Sequence, residues 1–167
     1  MRRNHPFFQI VCFVGIYALL HWSYFQIPNE WLADSAYRLV LGVEVAAGIN
    51  AIAPNEAVMA IHNHLLSPRA DLEIVRGCDG AGALFLVVAA VLAFPAGPRA
   101  KLAGLLGSVV LMYTLNLLRI GVLYFVMAYR PGIFTAVHVY LAPTLIVMIA
   151  CLFFAWWSGS CRTHAPG

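Results

Sequence analysis

The sequence predicts an all-α integral membrane protein with about four transmembrane helices and an extracytoplasmic segment between the first two. The 167 residues are 62% hydrophobic and only 10% charged, and mean hydropathy is +0.83. An average soluble domain carries roughly 25% charged residues, so this chain lacks the side chains to cover a water-facing surface. Its apolar residues gather into long runs and its charges gather between them. That composition excludes a soluble globular enzyme, a disordered tail and a secreted disulfide module. The net charge of +3 forms no basic stripe, so the expected partner is the lipid bilayer and not nucleic acid.

The apolar runs cover positions 7–25, 78–95, 102–129 and 133–157, within a single membrane domain spanning 1–167. Crossing the hydrocarbon takes about 20 helical residues. The first, third and fourth runs meet that, and the second does so only if its helix begins near Cys78 rather than Ala81. Arg2 and Arg3 precede the first run, but no small-x-small cleavage site follows it; the chain continues Leu19-Leu20-His21-Trp22. The run therefore reads as a retained anchor and not as a cleaved signal.

Charge gives the orientation. With the N-terminus inside, the cytoplasmic segments carry Arg2, Arg3, Arg99, Lys101 and Arg162 and no acid. Arg38, Arg69, Arg76 and Arg130 fall on the other side, with all seven acids. The chain is thus expected in the cytoplasmic (inner) membrane, multi-pass, with both termini cytoplasmic. Arg119 is left over, inside the third run.

Positions 26–77 form the extracytoplasmic segment. Residues 31–52 predict an amphipathic helix in the outer interface, with Leu32, Leu39, Val43, Ala46 and Ile49 on one face and Asp34 and Arg38 as an i,i+4 pair. Residues 57–66 fit helix or strand, and Asp71-Leu72-Glu73-Ile74-Val75-Arg76 alternates as a short strand does. Pro95-Ala96-Gly97-Pro98-Arg99 and Arg130-Pro131-Gly132 are helix-breaking turns.

An ionisable side chain within a span is costly, and is a functional hypothesis by default. Arg119 lies about 25 Å from the start of the third run at 1.5 Å per residue, in its outer third. Snorkelling to outer headgroups is its bland role. Asn116, one turn away on the same face, points instead to a buried polar site, where it either holds the guanidinium or hydrogen-bonds a ligand. His138 approaches the same leaflet from the fourth run, and Pro143 disturbs the helix at Val139. Cys78 sits at the outer start of the second run, in Arg76-Gly77-Cys78-Asp79-Gly80. Cys12, Cys151 and Cys161 have no spacing that reads as a metal site or disulfide framework. Cys78, Arg119 and His138 together offer a nucleophile, a cationic stabiliser and an acid/base group.

These residues resemble the motifs of the exosortase/archaeosortase family of membrane cysteine transpeptidases. The likeness rests on Gly77-Cys78-Asp79-Gly80, Asn116-Leu117-Leu118-Arg119 and His138, in the family's order and on the corresponding helices. It covers roughly residues 72–147 and marks a short, core-only member. Asp79 departs from the small uncharged residue usual after the cysteine. The resemblance implies cleavage of exported proteins whose C-terminal tail consists of a short motif, a transmembrane helix and a basic cluster. Cys78 would form a thioester, Arg119 would stabilise the oxyanion, and His138 would serve as acid and base. Asn116 would have a supporting role, and no cofactor or metal is implied.

Two rivals compete. In a non-catalytic scaffold or assembly subunit of an envelope or exopolysaccharide system, Arg119 would pair with an acid such as Asp79 and Cys78 would only pack. Alternatively, His62 and His64 would ligate a metal or haem, although no third ligand is evident.

Overall fold

The computed structural model of the chain describes residues 6–163. Arg2 and Arg3 lie outside them, as does the side chain of Arg162. In chain order the elements are α1 (Pro6–Phe25), the helical stretch α2 (Asn29–Ile52), and strands β1 (Met59–Ile61), β2 (His64–Leu66) and β3 (Asp71–Glu73). Helices α3 (Ala81–Ala93), α4 (Pro98–Tyr129) and α5 (Ala142–Thr163) follow. The fold is all-α in its membrane part, with a small sheet between the early helices and α3.

Among the described residues, four helical stretches are long and apolar enough to cross a membrane: Pro6–Phe25, Asn29–Ile52, Pro98–Tyr129 and Ala136–Cys161. The set differs from the four runs expected. α2, assigned above to the interface, qualifies by length and composition, whereas α3 does not. At 1.5 Å per residue α3 is only about 20 Å long, against roughly 30 Å of hydrocarbon. Its helix does not begin at Cys78 because Gly77 (φ +87°) and Gly80 (φ +77°) hold the preceding turn in the left-handed region, which glycine enters without steric cost.

The chain divides into two compact units. The first contains α1, α3, the first part of α4 and most of α5. Here α1 and α3 run antiparallel: Phe85, near the start of α3, meets His21 and Tyr24 near the end of α1. No residue of α1 is buried, as suits a helix whose other faces meet lipid. Gly104 lies flat against Trp157, where a Cβ would stand 2.6 Å from the indole, and the indole N–H donates to the Ala100 carbonyl at 3.1 Å.

The second unit contains residues Ile27–Gly80 and Tyr113–Leu145. Its α2 corrects the expected apolar face. Leu32, Tyr37, Leu41, Val45 and Ile49 are buried, whereas Leu39 and Val43 are 60% and 46% exposed. The first step in that buried series is five residues and the rest are four. The cause is π winding over Leu32–Gly42, whose i→i+5 bonding turns the helix more slowly than an α-helix. Asp34 and Arg38 form no ion pair among the described residues; Asp34 Oδ1 lies 2.6 Å from His62 Nδ1 instead.

Residues 57–66, open between helix and strand in the sequence, form the β1–β2 hairpin. The sheet is antiparallel with order β1-β2-β3, so β3 is an edge strand. Beneath it Glu56, only 2% exposed, accepts hydrogen bonds from Arg69 Nη1 and Tyr124 Oη, both at 2.7 Å, and from the Tyr129 hydroxyl. Ser67 Oγ also lies 2.7 Å from the Tyr124 hydroxyl. The hydrogen bond from Tyr129, then that from Tyr124, and then the Arg69 charge hold the Glu56 carboxyl below the usual carboxylate range. This cluster ties the segment carrying the sheet to the last turns of α4.

Candidate active site

The turn that carries Cys78 is built by its two glycines. Cys78 N–H donates to the Val75 carbonyl at 2.9 Å, closing the chain back on itself after β3. Asp79 reaches back across the turn: its Oδ1 accepts from Gly77 N–H at 3.3 Å, and its Oδ2 accepts from the Tyr37 hydroxyl at 3.4 Å. Cys78 is consequently buried, with 3% exposure.

α4 supplies Asn116 and Arg119, one turn apart and both buried. Arg119 Nη1 donates to the Gly77 carbonyl at 3.2 Å, which sets its guanidinium beside the cysteine turn. Among the described residues it forms no ion pair. Asn116 packs on Gly80, where a Cβ would stand 2.8 Å from its Cγ. Its amide does not hold the guanidinium, one of the two roles open in the sequence, because both of its polar atoms lack a hydrogen-bond partner.

His138 lies on a π-wound turn, Ala136–Leu141, leading into α5. The irregular winding falls where Pro143, having no N–H, withholds a hydrogen bond from the Val139 carbonyl. The imidazole stacks on Phe134, with centroids 5.4 Å apart and planes 7° from parallel. Its Nδ1 is buried and has no partner.

Arg119 is near enough to act electrostatically on both the Cys78 thiol and the His138 ring. No hydrogen bond joins the three side chains directly among the described residues, so they form no closed triad. Such bonds often tighten only when substrate binds. Four buried polar atoms without partners belong to this group: Asn116 Nδ2 and Oδ1, Arg119 Nε and His138 Nδ1. Leaving a buried donor or acceptor unpaired costs about 1–3 kcal/mol, and a set of them in one place requires an explanation such as catalysis.

Cys78 lies outside the candidate membrane-spanning helices, in the turn between β3 and α3, and its thiol is pushed above the usual range by burial. The Arg119 guanidinium opposes that rise, and the Asp79 carboxylate adds to it.

A match over residues 5–157 to the model of a family described as transmembrane exosortase (Exosortase_EpsH) covers most of the chain. The chain belongs to the transmembrane exosortase family. No curated protein and no solved structure matches it. It is thus a multi-pass exosortase-family membrane protein.

Two participants were not foreseen. Tyr37 reaches Asp79 across 42 positions, and Glu56 anchors the segment that ends in the cysteine turn. Only the buried phase of α2 could have singled out Tyr37, and the π winding hides that phase. His62 and His64, the alternative ligand pair, diverge: His64 Nδ1 lies 2.7 Å from Asp71 Oδ1, whereas His62 faces Asp34.

Proposed function

We propose that this exosortase-family protein is a membrane-embedded cysteine transpeptidase or protease. Its substrates are exported proteins bearing a C-terminal tail of short motif, transmembrane helix and basic cluster. The observation that carries the reading is the set of unpaired buried polar atoms on Asn116, Arg119 and His138, grouped with a buried cysteine that a guanidinium approaches.

In this reading His138 takes the thiol proton and Cys78 sulfur attacks the scissile carbonyl carbon. Arg119 stabilises the oxyanion where water is scarce and such stabilisation is worth most. As the C–N bond breaks, His138 returns its proton to the leaving amine and a thioester remains on Cys78. Water or an amine then attacks the thioester, giving hydrolysis or transfer. Asn116 offers one donor pair and one acceptor, the complement of a peptide group. In this reading the chain lies in the cytoplasmic membrane with both termini inside, α2 rests in the outer interface, and the site opens at the extracytoplasmic face. The scaffold alternative has less support, since Arg119 bonds the Gly77 carbonyl and makes no ion pair with Asp79.

The test is processing of a tailed substrate in a host expressing Cys78→Ala, Arg119→Ala or His138→Ala. Each is expected to leave the tail uncleaved. Normal trimming by Cys78→Ala would remove cysteine catalysis.

A further inference from the structure

A cavity of about 460 Å³ opens between the first turns of α2 and the Glu73–Arg76 segment at the end of β3. That volume is within the roughly 300–1,000 Å³ typical of ligand sites. We infer that this cavity receives the substrate's polar peptide stretch immediately ahead of the scissile bond, a recognition subsite that rests on the peptidase reading.

Position is the first argument. Arg76, in the cavity wall, is two residues from Cys78, which limits their separation along the chain to about 7 Å. Tyr37, also in the wall, reaches Asp79 with its hydroxyl at 3.4 Å. A peptide in the cavity would therefore run directly toward the nucleophile's turn. β3, which ends at Glu73, is an edge strand, and an extended peptide can add to such an edge through its own backbone.

Chemistry is the second. Glu30, Asn63, Glu73 and Arg76 line the cavity, and an apolar segment seated there would take water from these polar groups and offer no hydrogen bond in return. The walls are also held in place from behind. Arg76 Nε donates to Asn29 Oδ1 at 2.7 Å, and Asn63 Nδ2 donates to Glu73 Oε1 at 3.0 Å and to the Ile74 carbonyl at 3.2 Å. Groups fixed before binding lose less entropy when a ligand arrives.

Ala33 lies in the wall, and Ala33→Phe would fill the space. The probe is a fluorescein-labelled peptide comprising the residues that precede the transmembrane helix in a tailed protein of the same genome. Its binding is measured by anisotropy on the detergent-solubilised full chain. Ala33→Phe is expected to weaken binding by about tenfold or more while the rate of Cys78 alkylation by iodoacetamide, which reports an intact turn, stays at the wild-type value. If that rate changes, the double variant Glu30→Gln/Glu73→Gln, at two exposed positions, decides the matter with the same expected loss. Wild-type affinity in the deciding variant, or no binding by the wild-type protein, overturns the proposal. Loss of cleavage in Cys78→Ala is scored separately on the whole substrate, so failure of the peptidase reading is distinguishable from failure of the subsite.

Discussion

A methyl group on Gly80 would stand 2.8 Å from Cγ of Asn116, so the absence of a side chain in the cysteine turn is what lets the asparagine lie against it. Gly80 also has φ +77°, a conformation costly for other residues. Gly80→Ala should push Asn116 aside and strain the turn together. A displacement of about 1 Å in a catalytic constellation can cost roughly 10²-fold in rate. Steady-state cleavage of a tailed substrate should fall by about that factor, and an unchanged rate would remove Asn116 from the site.

Arg119→Lys separates charge from geometry. Lysine keeps the positive charge but loses the planar fork of donors that serves the Gly77 carbonyl and, in the proposed mechanism, an oxyanion. The kcat is expected to drop by about 10²–10³-fold, the usual effect of removing one oxyanion donor, with KM little changed. Single-turnover cleavage measures this.

How much of this was legible in the sequence differs residue by residue. Arg119 stood out because a charge in an apolar run has no topological reason to be there, and Cys78 and His138 followed from the sides of the runs on which they fall. Helices α1, α4 and α5 were legible because long apolar runs allow little else. The phase of α2 was not, because π winding over Leu32–Gly42 breaks the 3.6-residue periodicity on which such readings depend. The start of α3 was hidden in the left-handed glycines at 77 and 80. Glu56 looked like any solvent-facing acid, since its tyrosine partners lie 68 and 73 positions away. The pairing of Asn116 with Gly80 depends on tertiary contact alone.

Cys78 reactivity should carry the signature of a buried thiol. Burial raises its pKa, the Arg119 guanidinium lowers it and Asp79 raises it. Alkylation by iodoacetamide should therefore be slow at neutral pH and accelerate only above the ordinary thiol range. Arg119→Ala should move the profile further upward and Asp79→Asn downward. Peptide-level mass spectrometry across pH reads this directly, and half-maximal labelling below pH 7 would contradict it.

Glu56 gives a different pH dependence, one of stability. Its carboxyl is held below the reference value of 4.5 in the fold. A depressed carboxylate contributes stability that is full above the unfolded pKa and is lost as pH falls through the folded one. Glu56→Gln should lower the unfolding temperature in detergent at pH 7, and the gap from wild type should close as pH drops below 4.5. A gap independent of pH would assign the cluster to packing rather than charge.

The thioester is the most direct test of all. Purified protein is mixed with a tailed substrate, quenched in acid and digested, and the Cys78 peptide is weighed. The expected result is a Cys78 peptide heavier by the C-terminal fragment of the substrate's exported portion, released by hydroxylamine and absent from Cys78→Ala. Tail cleavage by Cys78→Ala at the wild-type rate would contradict the account.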